Sequence, residues 1–100
     1  MRLSTTEQSA IINAIKLQDG AAGIYLFGSR TDDRAKGGDI DILVISDKIT
    51  LTEKIKIRAA IFNTIPEQKI DIVVKKDFQD AFVQYIYNSL LKLAWWQYLV

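Results

Sequence analysis

Apolar residues recur along this chain in two rhythms, and together they predict three helices and three strands. Ser4 followed by Glu7 has capping-box spacing, and Ile11, Ile12, Ala14 and Ile15 continue at helical period to about Leu17, where Asp19-Gly20 ends the run. Ala21 to Phe27 is short, apolar and rich in branched and aromatic residues, which predicts a buried strand. Gly37-Gly38 frees the backbone to turn into a second strand from Asp39 to about Ser46, with Ile40, Ile42 and Val44 on one face and Leu43 and Ile45 on the other. Both faces are apolar beyond its first residues, so this strand is expected at the centre of a sheet. Thr50 and Glu53 repeat the capping-box spacing ahead of Ile55, Ile57, Ala59, Ala60, Ile61, Phe62 and Ile65, a second helix that stops before Pro66. Gln68 to Lys75 reads as a third strand, with Ile70, Ile72 and Val74 on one face and Asp71 and Val73 on the other. Asp77 is the expected cap of a last helix, with Asp80 in its first turn and a stripe of Phe78, Ala81, Phe82, Tyr85, Ile86 and Leu90. The run from Leu90 to Val100 is too apolar for a solvent-facing tail, so it either folds back on the core or makes a contact surface.

Composition narrows the picture. One hundred residues, 49% hydrophobic, suit one small domain spanning residues 1–100. Thirteen basic and twelve acidic residues leave a net charge of +1, so no stable nucleic-acid binding is expected, although a nucleotide needs only a local positive site. Without cysteine or histidine, disulfides, thiolate or imidazole metal sites and Ser-His-Asp or Cys-His catalysis are excluded, and carboxylates are the metal ligands that remain. The first residues lack the apolar run of a signal peptide and no stretch reaches the roughly 18 apolar residues of a span, so a cytoplasmic protein without membrane contact is expected.

Candidate chemistry concentrates between Phe27 and Val44. Asp39 and Asp41 fall on one face of the second strand, roughly 6.5 to 7 Å apart along it. Burying both without compensation would cost several kcal/mol each, so they belong at an open edge or beside a cation. Mg²⁺ suits that pair, because it takes one or two carboxylates and completes its shell with water and phosphate oxygens. Gly28-Ser29 forms a small-residue turn whose backbone N–H groups and hydroxyl can approach a phosphate closely. If the third strand lies beside the second, Asp71 joins the same face as a third carboxylate. Each residue has a plainer reading too: Asp39 and Asp41 as a solvated strand start, Asp71 as an edge charge that discourages pairing, Ser29 as a turn residue, Arg30, Arg34 and Lys36 as solvated cations, Thr31, Asp32 and Asp33 as a solvated connection. Trp95, Trp96 and Tyr98 read first as core or homo-oligomer contacts.

Gly28-Ser29, nine intervening residues and Asp39-Ile40-Asp41 resemble the signature of the minimal nucleotidyltransferases, which share the catalytic core of DNA polymerase beta. The resemblance implies an α/β polymerase beta-like nucleotidyltransferase fold, a small mixed sheet flanked by helices. It also implies two Mg²⁺ ions and ATP or another nucleoside triphosphate. Asp39 and Asp41 would hold the metals that carry the triphosphate, Asp71 would bind the second metal and help deprotonate the acceptor, and Gly28 and Ser29, with Arg30 nearby, would hold the phosphates. Members that look like this chain often act as antitoxins beside a helical HEPN-type toxin, some transferring AMP to a tyrosine of that partner. A contact-only neutralising module and transfer to a small molecule such as an aminoglycoside are the alternatives.

Overall fold

The computed structural model describes residues 3–31 and 39–93, with only the backbone of Ser29. Asp32, Asp33, Arg34, Lys36 and Gly37-Gly38, like Trp95, Trp96 and Tyr98, lie outside the described residues. In chain order the elements are α1 (Thr5–Gln18), β1 (Gly23–Phe27), a 3-10 turn (Gly28–Thr31), β2 (Ile40–Ile45), α2 (Leu51–Thr64), β3 (Ile70–Lys75), α3 (Ala81–Ile86), a second 3-10 turn (Tyr87–Ser89) and β4 (Leu91–Lys92).

The first capping signal closes in both directions, and the second closes through the Glu53 carboxylate. Glu7 donates its backbone N–H to Ser4 Oγ at 3.1 Å while Ser4 donates its own to Glu7 Oε1 at 2.8 Å. Thr50 likewise donates its N–H to Glu53 Oε1 at 2.7 Å. These bonds satisfy orphan donors of the first turn and set where each helix begins. The predicted strands are each trimmed at the start. Before β1, the Asp19 carboxylate accepts the Ala21 N–H at 3.0 Å and the Asp19 carbonyl accepts the Ala22 N–H, so those two residues are held in a turn. Before β3, Gln68 donates back to the Ile65 carbonyl, which keeps it in the turn after Pro66.

The sheet has the order β3-β2-β1-β4, with β2 and β3 parallel and the other pairs antiparallel, so it is mixed and β2 is interior. Ile24 and Leu26 of β1, Ile40, Ile42 and Val44 of β2 and Ile70 and Ile72 of β3 share one face and bury against Ile11, Ile12 and Ile15 of α1 and Ile57 and Ile61 of α2. Each fully buried Ile contributes about 1.5–3 kcal/mol, so this side is the stabilising core. The other face alternates with it and carries Tyr25, Phe27, Asp41, Leu43, Asp71 and Val73. Leu43 and Val83 are buried there, apart from the main core.

The end of the chain departs from expectation. Asp80, not Asp77, caps the last helix, accepting the N–H groups of Phe82 and Val83 at 2.8 and 3.4 Å. Asp77 instead accepts from Gln79 two residues on, which turns the chain before the helix can start. The expected stripe is displaced accordingly: Val83 is fully buried, whereas Tyr85 is 87% exposed. After α3, β4 adds two residues to the edge of β1 and Leu93 is buried, so the start of the apolar run from Leu90 folds back on the sheet, while residues 94–100 lie outside the described residues.

Candidate active site

The parallel crossover through α2 sets β3 beside β2 in a register that opposes Asp41 to Asp71, and the antiparallel pairing of β1 opposes Phe27 to Asp41. Phe27, Asp41 and Asp71 therefore form one row across three strands on the face away from the core. Asp39, immediately before β2, stands close enough to act on Asp41 electrostatically. The Asp41 carboxyl is pushed above the ordinary carboxylate range by burial first, then by Asp71, then by Asp39. Among the described residues no cation pairs with Asp41 or Asp71. Asp39 is engaged by Lys69, Nζ to Oδ2 at 3.5 Å, in a pair whose side chains are both well exposed.

Gly28 follows directly from the end of β1 and is pressed against this row. Its φ is +77°, a left-handed conformation, and a Cβ there would lie 2.3 Å from Asp41 Oδ2. Glycine is thus required twice over, by its dihedral and by the approach of its backbone to the carboxylate. Thr31 closes the turn by donating its hydroxyl to the Gly28 carbonyl at 2.7 Å. Arg30, in the same turn, donates from Nη2 to Gln68 Oε1 at 3.1 Å, which ties the turn to the start of β3. Ser29 contributes backbone to the turn.

α3 and the segment before it pack over the same face of the sheet. Phe82 meets Phe27 edge-to-face at 5.8 Å, and Phe78 meets Tyr25 at 5.6 Å and Tyr87 at 6.3 Å. Lys75 pairs with the capping Asp80 at 3.5 Å and lies 6.0 Å from the Phe82 ring centre. This aromatic layer fixes Phe27, the strand end from which Gly28 emerges. The sequence marks Gln68 only as a strand start and Phe82 only as part of an apolar stripe, and gives neither them nor Lys69 a place at the site. Lys69 carried a faint signal, standing two residues before Asp71 and so at the same strand parity.

The acids are near one another without being closed into a cage: among the described residues no group of three or more acidic side chains is gathered tightly enough to hold an ion as it stands. The donor chemistry does fit a hard divalent cation. Asp41 is an oxygen donor whose charge is opposed by two neighbouring carboxylates and met by no side-chain cation among the described residues, and a bound cation would relieve that repulsion.

No helix among the described residues is long and apolar enough to cross a membrane. No curated protein matches the chain. The family described as polymerase beta, nucleotidyltransferase matches residues 9–92, a span that contains β1, the Gly28 turn and all three acids. An α/β domain with a mixed sheet, the Gly28 turn packed on Asp41 and Asp71 in register beside it, matched over that length, belongs to the polymerase beta nucleotidyltransferase family.

Proposed function

We propose that this nucleotidyltransferase is Mg²⁺-dependent and moves AMP from ATP to a hydroxyl group, a tyrosine of a helical HEPN-type toxin that it thereby restrains as antitoxin. The observation that carries the chemical part is the Asp41–Asp71 register with the Gly28 backbone against Asp41. Asp39, Asp41 and Asp71 would hold the metal ions, which supply charge neutralisation for the triphosphate and the attacking oxygen. Asp39 must exchange Lys69 for that role, and an exposed pair at 3.5 Å is worth no more than about 1 kcal/mol. The N–H groups of the Gly28-Ser29 turn bind the triphosphate tail. Asp71 accepts the proton of the acceptor hydroxyl. The acceptor oxygen bonds to the α-phosphorus as the bond to pyrophosphate breaks, and pyrophosphate departs with the electron pair. Positioning and charge neutralisation dominate such a reaction, so a small domain suffices.

The test is incubation of the purified protein with Mg²⁺, each labelled nucleoside triphosphate in turn and the helical product of the neighbouring gene, followed by mass analysis of every component. Label on a partner tyrosine from ATP is the expected result. An unmodified partner refutes the acceptor, and no pyrophosphate from any nucleotide refutes the transfer itself. The open arrangement of the acids favours a second reading, neutralisation by contact alone. Under it, Asp39→Asn with Asp41→Asn preserves both complex formation and protection from the toxin, whereas transfer chemistry loses protection.

A further inference from the structure

α2 is apolar on two sides. Ile57 and Ile61 are buried in the core, yet Leu51, Ile55 and Phe62 stand 72%, 60% and 63% exposed. With the exposed Ala59, those three residues recur every three or four positions and line up within about 80° of arc on the opposite side of the helix. Lys54, Lys56 and Arg58 flank this stripe, and none of them is in an ion pair among the described residues. Beside the stripe, between α2 and β3 at the edge of the sheet, lies a groove of about 450 Å³ walled by Arg58, Phe62, Pro66, Gln68, Lys69 and Ile72. Among the described residues no carboxylate lines it.

We propose that this groove and stripe dock an amphipathic helix of a partner protein whose flanks are acidic. A helix presents anchors at the three- and four-residue spacing of the α2 stripe, and a groove of this volume admits a few apolar side chains. Carboxylates along its flanks would meet Lys54, Lys56 and Arg58. A second copy of this chain fits poorly, because a two-fold contact through α2 sets those same three cations against each other. A flat lipid surface would leave the concave groove unfilled. Gln68 and Lys69, at one end of the groove, hold Arg30 and Asp39. One end of a docked partner thus lies beside Lys69 and Asp39, and the use of that placement in transfer rests on the transferase reading above.

The probe is a pair of labelled, helix-stapled peptides with one leucine stripe, identical except for all-Glu or all-Lys flanks, titrated into the full chain at two salt concentrations. The Glu peptide should bind at least about tenfold more tightly, with an affinity that falls as salt rises. Phe62→Asp should weaken it by at least about tenfold, while Arg58→Glu shifts preference toward the Lys peptide. Both residues are exposed, so thermal melts should match wild type. Equal affinities, no binding, or binding indifferent to Phe62→Asp overturns the proposal. So does a dimer in sedimentation, or adsorption to phosphatidylglycerol vesicles, that Phe62→Asp abolishes, since either assigns the stripe to another occupant. If peptide binding is as expected but no label transfer occurs, the transferase reading fails and docking stands. If transfer to the partner survives Phe62→Asp, docking fails alone.

Discussion

Gly28→Ala tests the link between backbone and chemistry most directly. The added methyl group would sit 2.3 Å from Asp41 Oδ2, while ordinary contact begins near 3.4 Å, so the carboxylate must retreat by about 1 Å or the turn must open. The φ of +77° adds a left-handed penalty of about 1–2 kcal/mol for any residue with a Cβ. For a chain of 100 residues that predicts a fall in Tm of about 5–15 °C. A 1 Å displacement of a positioned group costs about a hundredfold in rate. Pyrophosphate release with Mg²⁺, ATP and the partner, measured well below the melting transition of the variant, reads the second effect free of the first. Gly20→Ala is the control, since the nearest atom to its Cβ is 4.0 Å away and it should change neither quantity appreciably. A Gly28→Ala protein with wild-type rate and Tm would refute the packing of this turn on Asp41.

Asp41→Asn should remove activity and yet stabilise the fold at neutral pH. Burial, Asp71 and Asp39 raise the Asp41 carboxyl, so its contribution to stability is full in acid and is lost as pH rises through its folded value. The advantage of the variant in urea denaturation should therefore vanish below about pH 4, and a variant less stable than wild type at pH 7 contradicts this. Ser46→Ala should cost about 1–3 kcal/mol, because Ser46 Oγ donates to the buried Asp19 carboxylate at 2.6 Å and accepts from the N–H groups of Lys48 and Ile49. Asp19 is held below the ordinary carboxylate range by that hydroxyl first, against the effect of burial and with the Ala21 N–H, Lys48 and Lys16 adding to it. Its stabilisation is thus present above about pH 4 and lost as pH falls through the lower folded value, and Ser46→Ala should flatten that acid limb. Mg²⁺ at a hundred times its Kd should stabilise the wild type by about 2.7 kcal/mol, reversed by chelation and absent in Asp41→Asn with Asp71→Asn. An equal shift in both proteins would place the ion elsewhere.

Local chemistry was legible wherever one short stretch decides the outcome. The pairs Ser4 with Glu7 and Thr50 with Glu53 set two helix starts because cap and partner lie within one turn. Strand alternation placed Asp71 on the face of Asp41 as soon as β2 and β3 were neighbours, which the structure makes them. Four features resisted reading because distant contacts decide them. Asp77 and Asp80 are equally good caps locally, and the pairing of Asp80 with Lys75 and the edge-to-face stack of Phe82 on Phe27 favour the later one. β4 has only two residues and exists through its pairing with β1. In α2, apolar period revealed that faces exist without revealing which is covered, so the exposed Ile55 and Phe62 were indistinguishable from the buried Ile57 and Ile61. Gln68 and Lys69 looked like ordinary solvated residues until the fold brought Arg30 and Asp39 to them.

Because Ile40 and Ile42 flank Asp41, and Ile70 and Ile72 flank Asp71, a slip of one residue between these neighbouring strands would point carboxylates inward and isoleucines to solvent. Such a molecule would forfeit its interior and the proposed reaction centre in a single error. Partially correct assembly therefore leaves little middle ground, and turnover per milligram after refolding would report directly on the fraction of chains that zipped up true.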